Sequence, residues 1–152
     1  MEKKTLAKNK KAFFDYEILD QIEAGIQLTG AEVKSCREAK VSFKGAFIDV
    51  WHEEAFVNEI HISKYRHASQ KEYDPTRKRR LLLHKKEILK IEGQISAKGA
   101  TCVPLEIYLK SGIIKCLIGI CRGKKKFDKR ESLKKRSQDL EIKRALKNFS
   151  QK

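Results

Sequence analysis

The sequence of 152 residues has few of the features that mark a secreted, membrane-spanning or metal-binding protein. No apolar run approaches the roughly 18 residues of a membrane span, and the N-terminal residues lack the apolar core of a secretory signal. The four histidines and four cysteines do not show zinc-site spacing. We therefore expect a cytoplasmic protein without bound metal. Cys102 and Cys116 could face each other across a hairpin, but the reducing cytoplasm disfavours a disulfide, so reduced core thiols are expected.

Signatures of catalysis are also missing. The sequence has no nucleophile elbow, no glycine-rich loop that would cradle a phosphate and no H-E-x-x-H pattern, and Glu53-Glu54 is typical of a solvated turn. A metal-dependent nuclease would need a cluster of carboxylates, which the sequence does not supply. No residue pair in the sequence therefore points to an active site.

Positive charge is what the sequence has in excess, with 35 Lys+Arg against 20 Asp+Glu and a net charge of +15. Residues 122–152 hold 13 basic and 4 acidic residues, and so carry nine of the fifteen excess charges. A segment so poor in apolar residues cannot offset its ordering entropy. We predict that residues 123–152 are a basic C-terminal tail, disordered when free, that orders on a polyanion such as nucleic acid. Disordered padding is one alternative; a membrane-surface helix is another, disfavoured by the narrow apolar stripe.

Local signals predict several elements ahead of the tail. Thr29-Gly30-Ala31-Glu32 fits a capping box and predicts a short helix. Asp74-Pro75 predicts the start of a long helix that ends at Gly93. Alternating apolar residues predict one hairpin over residues 46–62 and another around the Ser111-Gly112 turn.

This order of elements predicts a mainly β protein with helices. Strands separated by short connections pair antiparallel, and several such strands in a small domain favour a barrel. We predict an OB-like antiparallel β-barrel of about six strands with two or three helices over residues 13–122. A mobile basic arm at residues 1–12 would precede it. By analogy of fold, such a barrel binds nucleic acid with one face and its loops.

Basic clusters are the main candidate binding sites. Arg77-Lys78-Arg79-Arg80 would open the long helix, where the helix dipole disfavours each cation by roughly 0.3–1 kcal/mol. A bound phosphate would offset that conflict, whereas the alternative is a solvated charged face. Lys34 and Arg37 on the short helix could contact RNA or be merely solvated. The tail clusters are Lys134, Lys135, Arg136, Lys143 and Arg144.

Five stretches, highly specific when taken together, match one family in their order along the chain. They are Glu23-Ala24-Gly25, residues 30–37 (GAEVKSCR), 74–85 (DPTRKRRLLLHK), 98–105 (KGATCVPL) and 123–130 (GKKKFDKR). The sequence resembles the SsrA-binding protein family, also called small protein B, over about residues 9–147. The resemblance implies an OB-like barrel, no cofactor and no enzymatic activity. Separately, the sequence shows no wide exposed apolar stripe, so we expect a monomer.

The resemblance also implies a function in ribosome rescue by trans-translation. Members bind the tRNA-like domain of transfer-messenger RNA and carry it to ribosomes stalled without a stop codon. The protein stands in for the anticodon arm. Its tail occupies the empty mRNA channel beyond the decoding centre of the small subunit, next to ribosomal RNA, and becomes helical there. The RNA then encodes a degradation tag.

Roles of single residues follow from the same resemblance. The positions implied to bind RNA are Asn9, Phe14, Glu23, Leu82, His84, Lys124 and Lys125. The positions implied to act on the ribosome are Phe127, Asp128, Lys129 and Arg130. Phe14 replaces a histidine that touches RNA in many members, and Phe127 replaces a histidine or tyrosine that reaches ribosomal RNA. Both phenyl rings can stack on a base but cannot donate a hydrogen bond.

Three alternatives stay open at this point. Another RNA-binding OB protein, such as an initiation-factor-like or ribosomal protein, would bind ribosomal RNA without preference for a tRNA-like fold. A nuclease would turn RNA over. A basic membrane-surface protein would bind anionic vesicles in competition with RNA.

Overall fold

The computed structural model describes residues 3–68, 72–96, 99–124, 137–138 and 140–147. Its elements in chain order are β1 (Lys3–Lys8), α1 (Lys10–Asp15), β2 (Tyr16–Ile26), α2 (Gly30–Arg37), β3 (Val41–Ser42), β4 (Phe47–Trp51), β5 (Glu54–Asn58), β6 (His61–Ile62), β7 (Arg79–Leu82), α3 (Lys85–Ser96), β8 (Ala100–Lys110) and β9 (Ile113–Gly123). Residues 137–138 and 140–147 are also helical. The prediction of a mainly β fold with helices is confirmed.

One large antiparallel sheet organises the fold. Its strand order is β1-β8-β9-β2-β7-β5-β4, and β3 pairs separately with β6. In the part of the chain that the structure describes, β1 and β4 are the two edges of this sheet, so it is not closed into the predicted barrel. β4 packs against β8 without joining its ladder. Hydrogen-bonded closure requires a matching stagger of the two edge strands, which local sequence patterns do not report.

The two faces of the sheet are covered unequally. The inner face packs against the main core, to which α2 contributes Cys36 and α3 contributes Ile91. On the outer face, Ala12 of α1 packs with Leu105 and Cys121 in a second, smaller cluster. α1 therefore covers one end of the outer face, and the rest carries the candidate site described below.

The N-terminal residues differ from the predicted mobile arm at residues 1–12. Lys3–Lys8 form β1, which pairs with β8, and Leu6 is buried in the main core. Thr5 Oγ1 donates to Glu106 Oε1 at 2.5 Å, and Lys3 Nζ lies 3.1 Å from Glu106 Oε2. These contacts join positions about a hundred residues apart in sequence, so no local pattern announces them.

The long helix predicted from Asp74-Pro75 is wrong in its first half. Arg79–Leu82 form β7 between β2 and β5, and α3 begins only at Lys85. Burial alternates along β7, because Arg79 and Leu81 are buried while Arg80 and Leu82 are exposed. This is the two-residue period of a strand. Because the buried residue Arg79 is charged, the alternation of buried and exposed positions does not show as alternating apolar and polar residues in the sequence.

The shorter elements follow their predictions more closely. The capping box at Thr29 and Glu32 is present at the start of α2. Ser35 and Glu32 of this helix are buried. β8 and β9 form the predicted hairpin, with positive φ at Ser111 and Gly112 in the turn.

The four cysteines, Cys36, Cys102, Cys116 and Cys121, are buried and free. Cys102 lies opposite Ile120 and Cys116 lies opposite Ile107, so the hairpin does not pair the two cysteines with each other. Burial raises the pKa of Cys36 to about 12 and that of Cys121 to about 11. The thiols are therefore protonated packing groups at neutral pH.

Part of the predicted tail lies within the described residues, and the prediction that it is disordered when free stays a prediction. Residues 137–138 and 140–147 are helical, and their side chains are exposed, including those of Lys143 and Arg144. Other tail predictions lie outside the described residues: Lys125, Phe127, Asp128, Lys129, Arg130, Lys134, Lys135 and Arg136. Over the described residues, no helix is long and apolar enough to cross a membrane.

Candidate nucleic-acid interface

A buried ion cluster fixes β7, the strand that carries the predicted site residue Leu82. The Glu32 carboxylate accepts from Arg79 Nε at 2.6 Å and from Arg77 Nε at 3.2 Å. Arg79 Nη1 donates to the Ile60 carbonyl at 2.7 Å, and its Nη2 donates to the Pro75 carbonyl at 2.9 Å. Arg79 and Glu32 are both fully buried, so the cluster tethers β7 to α2. The run Arg77–Arg80 is therefore not the uniform phosphate-binding cluster that the sequence suggested.

Opposing influences set the charge of Glu32. Burial raises its pKa, but the hydrogen bond from Arg77, the Thr29 backbone N–H and the charge of Arg79 outweigh burial and lower the pKa to about 2. Glu32 is consequently ionised at neutral pH and balances part of the charge of the two arginines.

Acid is expected to weaken the fold through this carboxylate. In the unfolded chain the pKa of Glu32 returns to about 4.5. Because the folded pKa is lower, the stabilisation is complete above about pH 5 and is lost as the pH falls through 4.5 toward 2. Urea midpoints measured from about pH 6 to pH 2.5 should fall steeply for the natural protein. Glu32→Gln should have a lower urea midpoint than the natural protein at pH 6, and its midpoint should fall less on acidification. Midpoints that fall in parallel for the two proteins would contradict the assignment of this pH dependence to Glu32.

The end of β7 packs closely against β2 at a glycine. Gly25 pairs with Leu82, and a Cβ at position 25 would lie only 3.1 Å from Leu82 Cβ. The absence of a side chain lets Leu82 lie across β2, while 54% of its surface stays exposed. An exposed leucine held in place on a sheet face offers an apolar contact surface for a ligand.

A cleft of about 460 Å³ opens beside this contact on the outer face. It is lined by Glu23, Gly25, Glu54, Arg80, Leu81, Leu82, Leu83, His84, Glu87, Ile88 and Lys115. Three of the predicted RNA-binding positions, Glu23, Leu82 and His84, thus come together in one cleft. They reach it from β2, from the end of β7 and from the loop before α3.

Glu23 is the acidic group of the cleft and is partly exposed. Tyr108 donates its hydroxyl to Glu23 Oε2, and Lys110 Nζ lies 3.3 Å from the same oxygen. The pKa of Glu23 is lowered chiefly by the hydrogen bond from Tyr108, against a smaller effect of burial, with help from Lys110 and Lys115. The carboxylate is therefore an ionised and positioned hydrogen-bond acceptor.

Two cations line the cleft: Arg80, which belongs to the predicted basic cluster Arg77–Arg80, and Lys115, which was not among the predicted site residues. Arg80 Nη2 lies 3.3 Å from Glu54 Oε1 at the rim. Lys115 lies between the buried Ile114 and Cys116, so strand alternation turns it toward the outer face. That alternation was visible in the sequence, but which face of β9 would be solvated was not.

Other predicted positions lie away from this cleft. Asn9 is the N-cap of α1: its side-chain oxygen accepts from Ala12 N at 3.1 Å, and its amide nitrogen donates to the Pro104 carbonyl at 2.8 Å. Asn9 lines a second cleft, of about 570 Å³. Four more predicted positions do not line the first cleft: Phe14 on α1, Lys34 and Arg37 on α2, and Lys124 after β9.

The cleft is equipped for recognition rather than for acid–base chemistry. Of its other carboxylates, Glu54 is paired with Arg80, and Glu87 Oε1 accepts from the His84 backbone N–H at 3.0 Å. Within the described ranges, no group of three potential ligands could hold a metal ion. An acceptor, two cations and an apolar platform suit the edges, phosphates and faces of nucleotides.

Comparison with known proteins gives concordant matches along nearly the whole chain. A family model described as SmpB protein matches residues 6–148. The SsrA-binding protein of Streptococcus mutans serotype c is 48% identical over 145 residues, covering 95% of this chain and 94% of its own. The SsrA-binding protein of Latilactobacillus sakei is 51% identical over 142 residues, covering 93% and 91%.

A solved structure described as "tmRNA-SmpB: a journey to the center of the bacterial ribosome" has the same fold. It superposes with a TM-score of 0.68 at 43% identity, covering 84% of this chain and 93% of the other.

Proposed function

The chain belongs to the SmpB protein family, and on that premise we propose that it binds the tRNA-like domain of transfer-messenger RNA and delivers it to stalled ribosomes for trans-translation. The observation that carries this proposal is the cleft on the outer face. It joins Glu23, Leu82 and His84, which are distant in sequence, with the cations Arg80 and Lys115. This function places the protein in the cytoplasm, as a binding protein and not an enzyme.

Each group of the cleft has a role in recognising folded RNA. Arg80 and Lys115 neutralise phosphates, which contributes affinity and releases counterions. Glu23 cannot approach a phosphate favourably, so it accepts from a base amino group or a ribose 2′-hydroxyl. Leu82 gives an apolar surface on which an unstacked base or a ribose can lie. Together they favour a particular RNA shape over any equally charged RNA.

The tail has a separate role in this proposal. Residues 123–152 enter the empty mRNA channel of the small subunit and become fully helical against ribosomal RNA. The excess of positive charge in this segment and the helical, exposed residues 140–147 support that role. Asp128, Lys129 and Arg130 belong to this tail and match the family's motif that is needed for tagging rather than for RNA binding.

Replacing Glu23 by alanine tests the role of the cleft. A hydrogen bond to a charged group contributes about 1.5–3 kcal/mol, so the dissociation constant for the tRNA-like domain should rise roughly 10- to 150-fold. Fluorescence anisotropy of labelled RNA would measure it, and circular dichroism would check that the variant stays folded, since Glu23 is partly exposed while its donor Tyr108 is buried.

Glu17→Ala is the matched control. Glu17 also lies on β2 and is also ion-paired, with Arg122 Nε at 2.9 Å, but it does not line the cleft. Its removal should leave RNA affinity unchanged. Equal losses of affinity in the two variants would mean that Glu23 acts only through the general charge of the protein, against the proposal.

A further inference from the structure

The single tryptophan of the chain, Trp51, lies in line with the cleft across the sheet. Trp51 is paired with Glu54 of β5, which lines the cleft. Ala55 of β5 is paired with Leu81 of β7 in an antiparallel register, so the residue before it, Glu54, lies opposite Leu82. Leu82 is paired with Gly25, and Gly25 with Lys115. One row of residues thus runs from Trp51 through Leu82 to Lys115.

Residues of one such row share a face of the sheet, because side chains directly opposite each other point the same way. Neighbouring strands lie about 4.8 Å apart, so Trp51 is roughly 10 Å from Leu82 and roughly 19 Å from Lys115 along the row. A single segment of RNA lying in the cleft can therefore reach Trp51 without leaving the outer face.

Trp51 is exposed and yet held in place. Its exposed fraction is 63%, the largest among the strand residues with big apolar side chains. The turn that follows it has only two residues, His52 and Glu53, both with positive φ (48° and 61°), as in the tight hairpin turns. The His52 ring packs edge-on against the indole, with centroids 4.5 Å apart. The short hairpin and the contact with His52 therefore hold an indole ring that stays largely exposed.

Ion-paired cations lie on the face of the sheet that carries this ring. Arg80 is joined to Glu54, the partner of Trp51, and Lys78 Nζ lies 4.6 Å from the centre of the Phe56 ring. Phe56 is paired with Asp49, two positions before Trp51 on β4. Lys78 is also ion-paired, with Asp49 Oδ2 at 3.7 Å, and such surface pairs are weak enough for a phosphate to replace the carboxylate. An exposed aromatic ring near such cations is an arrangement with which proteins hold single-stranded nucleotides, the ring stacking on a base while the cations bind its phosphates.

We propose that Trp51 stacks on an unpaired base of the RNA bound in the cleft, so that the RNA site extends from Lys115 across Leu82 to the β4–β5 hairpin. This inference rests on the proposed function. In this role the β4–β5 hairpin selects RNAs that present an unstacked base at the distance of Trp51 from the cleft.

Because the chain has one tryptophan, its own fluorescence tests the proposal in the unmodified protein. The full-length protein is titrated with the fluorescently labelled tRNA-like domain, and indole emission is recorded in parallel with RNA anisotropy. Stacking predicts saturable quenching of the emission with the same midpoint as the anisotropy. Trp51→Ala should weaken binding roughly 5- to 150-fold, the effect of losing one stacked base. Trp51→Phe should recover most of the affinity.

Phe47→Ala is the matched control, since Phe47 is an exposed aromatic residue of the same strand that lines the other cleft. The affinity of the Phe47→Ala variant for the tRNA-like domain should equal that of the natural protein. Saturated anisotropy with unchanged indole emission would overturn the stacking role and leave the proposed function standing. Equal losses in Phe47→Ala and Trp51→Ala would also overturn it. Absence of an RNA complex by anisotropy would overturn the proposed function itself.

Discussion

Replacing Arg79 by methionine is expected to lower the free energy of unfolding by about 3–5 kcal/mol, the cost of removing one partner from a buried ion pair. The substitution leaves the fully buried Glu32 carboxylate with fewer donors and leaves the Ile60 and Pro75 carbonyls without the guanidinium. Each kcal/mol corresponds to about 2–4 °C in a chain of this size. The thermal midpoint should therefore fall by about 6–20 °C, measured by circular dichroism.

The neighbouring Arg80→Met is the control for this prediction. Arg80 carries the same charge on the same strand, but its side chain is about half exposed and pairs with Glu54 at the surface. A surface ion pair contributes only about 0–1 kcal/mol, so the midpoint should move little. Similar effects of the two substitutions would show that Arg79 does not anchor β7 as described.

Deleting residues 131–152 is expected to abolish tagging of stalled chains while leaving affinity for the tRNA-like domain nearly unchanged. The deleted segment holds seven basic and three acidic residues and none of the cleft residues. Its loss removes the part proposed to fill the mRNA channel. Binding would be measured by RNA anisotropy at physiological salt, and tagging by incorporation of the tag in a translation extract programmed with mRNA lacking a stop codon.

The full-length Glu23→Ala variant is the complementary control, because it should lose RNA binding and tagging together. The truncated protein should differ by losing tagging alone. If the truncated protein still tags stalled chains, the assignment of separate functions to the cleft and the tail is wrong.

Elements with local signals were predictable from the sequence, and elements with distant partners were not. α2 follows from its capping box, and the β8–β9 hairpin follows from a turn flanked by alternating apolar residues. β7 was mistaken for a helix because Arg79 reads as a surface residue until its partner Glu32 is known, 47 positions earlier. Whether the sheet closes into a barrel likewise depends on the order of all its strands, which no single segment of the sequence reports.

The same distinction between local signals and distant partners applies to the residues of the candidate site. Glu23, Leu82 and His84 were predicted only through the family resemblance, since nothing in their local patterns links them. Lys115 and Trp51 were missed because their place on the outer face depends on register carried across neighbouring strands. Conversely, Lys34 and Arg37 stood out by charge alone, and the structure places them on α2, away from the cleft.

The most direct test of the whole account is a competition for binding at several salt concentrations. The labelled tRNA-like domain of transfer-messenger RNA would be displaced by itself or by an unrelated RNA hairpin of equal length. The account predicts a preference for the tRNA-like domain that persists at high salt, because the cleft reads shape as well as charge. Equal affinity for both RNAs, falling together by orders of magnitude with salt, would contradict it, since only phosphate neutralisation would then remain.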